Sequence, residues 1–387
     1  MKKFLAALFS VLLFLYFIDI VLPVEAGAAP GDDSLALYAQ SAVLMDADTG
    51  RILYAKNAEE QRPMASTTKI MTCLYTLEHG NLSDVVTFSE RAASAPKVHL
   101  GAKAGSQFLL SDLLYALMLE SYNDAAIAIA EHLGGSVEAF CQAMTEEARS
   151  YGCYQTSFET PNGLDSDNHY TTCYDLAILT CHALNNKDFR SIIQESSYTI
   201  KEITGGQIYS LSNKDAFLTS YPGAIGVKTG FTNGAGYCFV GAVETDDRLL
   251  ISVVLGSGWP PNRSYKWKDT RKLMDYGIEN FENVTISLGD DIPGQLPVDH
   301  GQAQVCDISQ PGTVTLLLNP EEEKAVCTAN LLPSLNAPVR EGDSVGTVTL
   351  SINREIYRKY PVKAAADTER INYRWCLDRL LEKYFYG

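Results

Sequence analysis

The spacing of hydrophobic residues changes several times along this chain. Residues 42–55 contain two short apolar runs on either side of residues 46–50 (DADTG), which are turn-forming types, so an antiparallel β-hairpin is predicted. Between residues 66 and 183 the apolar positions recur at helical spacing, which predicts several amphipathic helices. Gly80 and the Gly134-Gly135 pair are expected to end two of these helices.

Beyond residue 198 the pattern becomes that of a sheet. Short runs of β-branched and aromatic residues predict strands at residues 199–203, 207–211, 224–229, 237–244 and 249–256. The pairs Asn233-Gly234 and Asp246-Asp247 are predicted to form the turns between the last three strands. With a further helix over residues 267–281, helices flank a mainly antiparallel sheet, which implies one mixed α+β domain over residues 34–283.

Two shorter segments follow this domain. Residues 284–366 alternate short apolar runs with Gly and Pro, which predicts a small all-β domain. In residues 367–387 apolar and aromatic side chains return to helical spacing, and residues 368–387 carry a net charge of +1. This amphipathic C-terminal segment is predicted to anchor the protein on a membrane surface. A terminal helix packed on the β domain is the alternative.

The N-terminus has the layout of a signal peptide. Two lysines precede an apolar run over residues 4–22, and Val24 and Ala26 are small residues suited to peptidase cleavage. We assign residues 1–26 to the signal peptide and expect an exported protein of the cell envelope, on the outer face of the cytoplasmic membrane, or a secreted one if the tail does not anchor it. An uncleaved membrane anchor is the alternative, although Asp19 interrupts the apolar run.

Composition excludes several classes of protein. The 387 residues include 47 acidic and 31 basic side chains, a net charge of −16, which disfavours nucleic acid as a partner. The nine cysteines are an odd number without paired spacing, so we expect buried small hydrophobic residues rather than a disulfide framework. Neither CxxC nor HExxH occurs, so no metal is predicted. No cofactor is implied.

A first candidate for chemistry is Ser66-Thr67-Thr68-Lys69, directly before an apolar-periodic helix. Helical positions three apart share a face, so the Lys69 amine is expected to reach the Ser66 hydroxyl and to take its proton if the lysine pKa is lowered. This spacing arises roughly once by chance in a chain of such length. A second copy, from Ser94 to Lys97, contains a proline and is predicted to be a loop without this geometry.

Two further tripeptides complete the pattern. Ser121-Tyr122-Asn123 is predicted to lie in a loop between helices, where both polar side chains can face a cleft; ordinary helix capping is the alternative. Lys228-Thr229-Gly230 is expected at the end of a strand. There the lysine can pair with a carboxylate, the threonine can donate a hydrogen bond, and the glycine lets a substrate approach. An exposed lysine before a turn is the alternative.

In this order and spacing, the three motifs resemble the signature of the penicillin-binding protein and serine β-lactamase superfamily. The sequence around them is similar to the D-alanyl-D-alanine carboxypeptidase family of low-molecular-mass penicillin-binding proteins, notably at residues 63–72, 122–125, 160–164, 169–172 and 226–232. The likeness covers most of residues 34–283. It implies a penicillin-binding protein-like fold and an enzyme that removes the terminal D-alanine from peptidoglycan stem peptides ending in D-Ala-D-Ala. It also implies covalent inhibition by β-lactam antibiotics.

The resemblance implies catalytic roles residue by residue. Ser66 would be the nucleophile that forms the acyl-enzyme, and Lys69 would be its general base. Ser121 would relay protons, and Asn123 would orient the substrate.

It implies substrate-binding roles for the third motif. Lys228 and Thr229 would hold the terminal carboxylate beside Gly230. The main-chain N–H groups of Ser66 and Phe231 would form the oxyanion hole.

The match is incomplete after the last strand of the mixed domain. Relatives commonly carry an arginine there, whereas this chain offers either Arg263 or Lys266.

Two other functions are alternatives. A β-lactamase would use a dedicated glutamate, for which Glu159 lies in a plausible region. A non-catalytic envelope protein would bind stem peptides in the same groove. The single Gly-x-Ser-x-Gly sequence, residues 342–346 (GDSVG), lies in the predicted all-β domain, where no helix is predicted to follow it, so an α/β-hydrolase is not predicted.

Overall fold

The structure is a computed structural model that describes residues 35–290, 292–322 and 325–385. The predicted signal peptide, residues 1–26, lies outside the described residues. The chain divides into two compact units, with the boundary between Asn283 and Val284 and with Leu317–Pro320 belonging to the first unit.

The first unit contains strands and helices in alternation. Its strands are β1 (Ser41–Asp46), β2 (Ile52–Lys56), β3 (Val85–Thr87), β4 (Gln107–Leu109), β5 (Ser197–Lys201), β6 (Ile208–Ser212), β7 (Ala224–Thr232), β8 (Gly236–Glu244) and β9 (Leu249–Leu255). Its helices are α1 (Lys69–His79), α2 (Glu90–Ala93), α3 (Leu110–Leu119), α4 (Asn123–Gly134), α5 (Val137–Ser150), α6 (Cys173–Asn185), α7 (Lys187–Gln194), α8 (Phe217–Ser220) and α9 (Tyr265–Glu279).

A five-stranded antiparallel sheet of order β2-β1-β9-β8-β7 forms the centre of this unit. The predicted hairpin is β1 and β2, and the predicted turns lie between β7 and β8 and between β8 and β9. The hairpin of β5 and β6 is shifted by one or two residues from the predicted strands. β7 continues to Thr232, beyond the predicted end at residue 229, because Gly230, Phe231 and Thr232 remain paired with β8.

The sheet lies between two layers of helices. On one face α1, α3 and α4 share a core with Val43 and Val253, and α1 is so deeply enclosed that Ile70 and Leu74 have no exposed surface. On the other face Leu273 of α9 packs in a second core with sheet residues. Burial of residues 69–74 makes the first half of α1 a rigid support for groups at its N-terminus. Five cysteines are buried in the first of these cores as small hydrophobic residues: Cys73, Cys141, Cys153, Cys173 and Cys238.

The remaining elements are β-rich and end in a helix. The strands are β10 (Glu282–Ser287), β11 (Gln295–Asp299), β12 (Val305–Asp307), β13 (Thr313–Leu318), β14 (Val326–Leu331), β15 (Leu335–Asn336), β16 (Ser344–Ile352) and β17 (Glu355–Lys363), and the helix is α10 (Tyr373–Phe385). No residue of α10 is buried. Within the described residues, no helix combines the length and apolar character that crossing a bilayer requires. The prediction of an α+β domain, a small all-β domain and a terminal helix is confirmed.

Candidate active site

Ser66 lies in a short 3-10 turn, Ala65–Thr68, which runs directly into α1 and is called the Ser66 turn below. Ala65 has a left-handed φ of 49°, so the chain bends sharply just before the serine. Lys69 follows one turn later, and its Nζ atom is 3.0 Å from Ser66 Oγ. The local backbone therefore brings the hydroxyl and the amine together.

The Lys69 amine is entirely buried among polar atoms. Besides Ser66 Oγ, its neighbours are the Asn123 side-chain oxygen at 2.9 Å and the Asn162 main-chain oxygen at 2.5 Å. Burial, together with the nearby Lys228 charge, holds the pKa of Lys69 well below its usual range. A neutral amine has two N–H bonds and one lone pair. In that form the two carbonyl oxygens, which can only accept, would take the N–H bonds, and the lone pair would be left for the Ser66 hydroxyl.

The Asn123 side chain is oriented from both ends. Its amide nitrogen donates to the Pro96 main-chain oxygen at 3.1 Å, which leaves the amide oxygen facing Lys69. Pro96 belongs to the second Ser-x-x-Lys copy, in which the Ser94 hydroxyl donates to the Arg91 main-chain oxygen at 3.1 Å. The second copy thus supplies a main-chain acceptor to the site, a role that its Ser-x-x-Lys pattern does not predict.

Ser121 occupies the loop between α3 and α4 with a left-handed φ of 65°. Its Oγ atom is buried and has no hydrogen-bond partner among the residues that the structure describes. A buried polar group without a partner costs about 1–3 kcal/mol, and a left-handed backbone costs about as much again. Such costs are typical of functional sites, where a substrate group or a water supplies the missing partner.

β7 is the edge strand of the sheet and holds Lys228-Thr229-Gly230 in its interior. The prediction that this motif lies at a strand end is therefore wrong, because pairing with β8 continues beyond it. The Lys228 side chain is buried, which excludes the exposed lysine considered above. Burial lowers the pKa of Lys228 to about 7, although the carboxylate of Asp215 opposes this shift. At neutral pH a substantial fraction of Lys228 therefore carries a charge.

The backbone of β7 approaches the Ser66 turn closely. A Cβ atom at Gly230 would lie 3.0 Å from the Ser66 main-chain nitrogen, closer than most real Cβ contacts, so any larger residue would press on the Ser66 turn. Phe231 stands opposite Tyr237, whose N–H and C=O are both bonded to the segment after β9. Phe231 and Tyr237 are thus a non-hydrogen-bonded pair, and the Phe231 N–H points to the open edge of the sheet.

Asp215 is a buried carboxylate that no sequence motif singled out. Its Oδ1 atom accepts the Phe217 N–H at 2.9 Å, whereas Oδ2 is buried without a hydrogen-bond partner in the described part of the chain. Burial raises the pKa of Asp215 to about 6, and the charges of Lys228 and Lys266 act against this rise. Asp215 is therefore the counter-charge of these two lysines.

The two basic residues that the sequence left as alternatives differ in their surroundings. Lys266 Nζ lies 5.0 Å from the ring centre of Tyr237 and 4.8 Å from that of Trp267. Burial lowers the pKa of Lys266 to about 8, and its charge lowers that of Lys228 in turn. Arg263 is exposed in the segment before α9. The charge of Arg263 lowers the pKa of Lys266, whereas the charge of Lys266 acts on Lys228 itself. Of the two, Lys266 is thus the one that is coupled directly to Lys228.

The segment of residues 159–163 passes beside the Ser66 turn. The Asn162 main-chain oxygen accepts from Lys69 and also lies 3.3 Å from Ser66 Oγ. Glu159, at the start of the segment, is exposed, and its carboxylate accepts hydrogen bonds from Ser166 and Asn168, which lower its pKa. Among the described residues no hydrogen bond joins Glu159 to Ser66, and its carboxylate instead binds Ser166 and Asn168.

One group of side chains suited to a metal lies elsewhere. The ligand atoms of Glu78, His79 and Glu147 are all within 4.8 Å of one another, and the Tyr151 hydroxyl is within hydrogen-bond distance of both carboxylates. These residues stand at the C-terminal end of α1 and on α5. A helix of this length separates them from Ser66 by about 15 Å, so they take no part in chemistry there.

Family models match both parts of the chain. The model described as D-alanyl-D-alanine carboxypeptidase matches residues 27–258, and the model of the penicillin-binding protein 5 C-terminal domain matches residues 281–370. The D-alanyl-D-alanine carboxypeptidase DacF of Bacillus subtilis strain 168 is 28% identical over 388 residues, which cover 98% of each protein. The D-alanyl-D-alanine carboxypeptidase of Streptomyces sp. strain K15 is 35% identical over 60% of this chain and 85% of its own length.

Solved structures agree with these sequence matches. Penicillin-binding protein 5 from Haemophilus influenzae superposes with a TM-score of 0.74 at 26% identity, covering 86% of this chain and 98% of that one. A mutant of the Streptomyces K15 DD-transpeptidase covers 63% of this chain and 98% of its own, with a TM-score of 0.59 at 33% identity. This protein therefore belongs to the D-alanyl-D-alanine carboxypeptidase family of serine peptidases, the low-molecular-mass penicillin-binding proteins.

Proposed function

We propose that this enzyme removes the terminal D-alanine from peptidoglycan stem peptides through an acyl-enzyme on Ser66. The observation that carries the proposal is the 3.0 Å contact between Ser66 Oγ and the buried Lys69 amine. The lone pair of the neutral amine accepts the hydroxyl proton as Ser66 Oγ attacks the carbonyl carbon of the penultimate D-alanine. The C–N bond then breaks, the leaving amine takes up a proton, and water hydrolyses the ester in a second step.

Ser121 and Asn123 assist this transfer in our proposal. The Ser121 hydroxyl is the group that passes a proton to the leaving amine, since it precedes Asn123, which contacts Lys69, and has no hydrogen-bond partner among the described residues. Asn123 fixes the Lys69 amine and orients the substrate backbone. The negative oxygen of the tetrahedral intermediate would be bound by the main-chain N–H groups of Ser66 and Phe231, the first of which lies at a helix N-terminus.

The substrate carboxylate is assigned to the cationic cluster beside β7. Lys228 and the Thr229 hydroxyl hold it in our proposal, and Lys266 supplies the second positive charge. The electrostatic coupling of Lys266 to Lys228 supports that choice over Arg263. Binding of a carboxylate there raises the pKa of both lysines. Substrate binding and protonation of the lysines therefore favour each other.

Lys228→Ala is expected to weaken acylation by penicillin and to change its pH profile. In the wild type we expect a bell-shaped profile, ascending as Lys69 becomes neutral and descending near pH 7 as free Lys228 loses its charge. The variant lacks the descending limb. Its ascending limb moves to higher pH, because a charge that lowers the Lys69 pKa has been removed.

Second-order rate constants for acylation, measured from about pH 4 to about pH 10, test this profile. Lys272→Ala is a matched control, since its amine donates to the main-chain oxygens of Leu35 and Ala36. An unchanged pH profile in Lys228→Ala would contradict the assignment of Lys228.

Mass spectrometry tests the reaction as a whole. Incubation with a pentapeptide that ends in D-Ala-D-Ala should release D-alanine. Incubation with a penicillin should increase the protein mass by that of one drug molecule, located on the peptide that contains Ser66. Intact pentapeptide together with unmodified protein would refute the proposed function.

The alternatives receive no support from the site. A β-lactamase needs a glutamate that activates water against the acyl-enzyme, whereas the Glu159 carboxylate is engaged by Ser166 and Asn168. A non-catalytic binding protein would have no need for a lysine with a lowered pKa held against a serine hydroxyl. Burying the amine there costs free energy of folding.

We further propose a role for each part of the chain. Residues 34–283 form the catalytic domain, and residues 284–366 form a spacer. The signal peptide of residues 1–26 directs export, and residues 367–387 hold the enzyme at the membrane. The exposed apolar surface of α10 supports anchoring, since Leu380 is 66% and Phe385 68% exposed and no residue of the helix is buried. A helix packed on the β domain would bury such residues.

Deletion of residues 368–387 is expected to move active enzyme from the membrane fraction to the soluble fraction, because the apolar face of α10 is lost while the Ser66 site is untouched. Fractionation of cells followed by labelling with a fluorescent penicillin measures both properties. A second variant, in which only Leu377, Leu380 and Leu381 are replaced with serine, keeps the charge of the tail. It should be released as well, because the apolar face is lost. Sedimentation of the tail-less, processed enzyme with membranes would contradict this role.

A further inference from the structure

His169 is a buried histidine that follows the loop of residues 159–163, which carries Asn162, and only 3% of its surface is exposed. Its Nδ1 atom lies 3.1 Å from the main-chain nitrogen of Glu159 and 3.4 Å from that of Thr160. Its Nε2 atom lies 2.8 Å from Thr68 Oγ1. The imidazole thus spans from the start of the loop to the Ser66 turn.

These contacts determine where the imidazole proton lies. A main-chain N–H can only donate, so Nδ1, which faces the N–H of Glu159, must be the unprotonated nitrogen. The proton therefore lies on Nε2 and is donated to Thr68 Oγ1. The Thr68 hydroxyl in turn donates to the Ala65 main-chain oxygen at 2.8 Å. Every donor in this chain of hydrogen bonds has an acceptor, and the chain runs in one direction from the loop to the Ser66 turn.

The chain ends on the residue that bends the backbone before the nucleophile. Ala65 is the residue with φ of 49°, and its carbonyl is held by Thr68. A non-glycine residue in this conformation is strained and persists only where its surroundings enforce it. The bond from Thr68, supported by His169, is one such restraint.

Between its two ends the loop is pressed against α1. The Pro161 main-chain oxygen accepts the Thr72 hydroxyl at 2.6 Å, and the Asn162 main-chain oxygen accepts from Lys69 at 2.5 Å. A Cβ atom at Gly163 would lie 2.0 Å from the Ala65 main-chain oxygen. The Asn162 carbonyl is thus held against the amine by contacts in the middle of the loop, and the His169 imidazole adds a restraint at its start, where Nδ1 accepts the Glu159 N–H.

We propose that His169 is a positioning residue for catalysis, which ties the loop of residues 159–163 to the Ser66 turn through Thr68 and thereby sets the Asn162 carbonyl against the Lys69 amine. The inference rests on the proposed role of Lys69 as the general base. It gives the histidine a structural connection to the reacting atoms, with no proton transfer of its own.

The neutral form of His169 is the one that works. Burial lowers its pKa to about 4; Glu159 and Asp165 oppose the shift, and Lys69 adds to it. A second proton, on Nδ1, would face the N–H of Glu159 and break that bond. The linkage therefore persists at neutral pH and is lost only in acid, below the pKa of about 7 of Lys228.

Two variants remove the linkage at different points. His169→Ala takes out the imidazole, and Thr68→Val replaces the hydroxyl with a methyl group of similar size. We expect each to lower the rate of acylation by penicillin about 10- to 100-fold, the effect of misplacing a catalytic group by roughly an ångström. The loss should appear in kcat for the pentapeptide rather than in KM. Because both residues act in one chain, the double variant should lose much less than the product of the two factors.

The pH profile separates positioning from a loss of stability. Loosening of the loop admits water beside Lys69 and reduces the desolvation that lowers its pKa, so the ascending limb should move to higher pH in both variants. His169→Gln, which keeps one acceptor and one donor, should lose less than His169→Ala. Thr180→Val is the matched control, since this buried hydroxyl only donates to the Leu176 main-chain oxygen, at 2.6 Å. It should acylate as the wild type does.

The outcomes distinguish this inference from the proposed function. If the wild type is not acylated on Ser66, the proposed function fails. If the wild type is acylated and Thr68→Val keeps both its rate and its pH profile, the role of His169 is refuted while the proposed function stands. Should His169→Ala fail to fold, Thr68→Val and His169→Gln decide the question by the same two measurements.

Discussion

Ser66→Ala is expected to abolish covalent labelling by penicillin and release of D-alanine. An acyl-enzyme cannot form without the oxygen that carries the acyl group, so the loss should be complete rather than partial. Alanine keeps the Cβ atom, and the Ser66 hydroxyl makes only a weak contact of 3.3 Å with the Asn162 main-chain oxygen besides its contact with Lys69. The fold should therefore survive the change. Intact-protein mass spectrometry after exposure to penicillin measures the outcome.

Ser94→Ala is the control that the chain itself provides. Ser94 heads the second Ser-x-x-Lys sequence, yet its hydroxyl donates to the Arg91 main-chain oxygen at 3.1 Å, in an exposed position after α2. We expect this variant to be labelled as fully as the wild type. Persistent labelling of Ser66→Ala would overturn the assignment of the nucleophile, and loss of labelling in Ser94→Ala would do the same.

Lys69→Ala is expected to slow acylation by about two to four orders of magnitude, the usual contribution of a general base. Among the described residues the Lys69 amine is the only basic group within hydrogen-bond distance of Ser66 Oγ, and burial together with the Lys228 charge holds its pKa well below the usual range. Residual acylation should persist, because the oxyanion-hole donors and the serine remain. Stopped-flow measurement with a chromogenic cephalosporin resolves such rates.

Two variants test whether Lys69 acts as a base or as a charge. Lys69→Arg keeps a cation that cannot lose its proton in a protein, so it should be about as impaired as Lys69→Ala. Lys97→Ala alters the lysine of the second copy and should acylate normally. A rate for Lys69→Arg near that of the wild type would show that positive charge, and not proton transfer, is the contribution of this residue.

The amino-acid sequence by itself determined the elements and the candidate residues. Alternation around DADTG predicts the hairpin of β1 and β2, because strand pairing next to a tight turn depends on local residue types. Helical spacing predicts α1, because its apolar residues recur at positions that share one buried face, whereas Glu78 and His79 are exposed. The contact of Ser66 with Lys69 was also predictable, since three residues along a helical turn fix that distance locally.

The tertiary structure alone decided what surrounds these residues. Sequence could not choose between Arg263 and Lys266, because the choice depends on which one lies beside Lys228 in the folded chain. The burial of Asp215 could not be predicted either, since the local sequence around a single aspartate in a loop is the same whether the residue is exposed or buried. Burial is a property of the whole packing, and pKa follows burial.

The main-chain acceptors of the site illustrate the same limit most directly. The carbonyls of Pro96 and Asn162 orient Asn123 and Lys69, yet every residue in the chain has such a carbonyl, so no residue type marks these two. The Asn162 contact joins positions 93 residues apart, a distance along the chain over which no periodic pattern carries information. Local spacing therefore determined which side chains can do chemistry. Long-range packing determined the atoms that hold them and the protonation states in which they act.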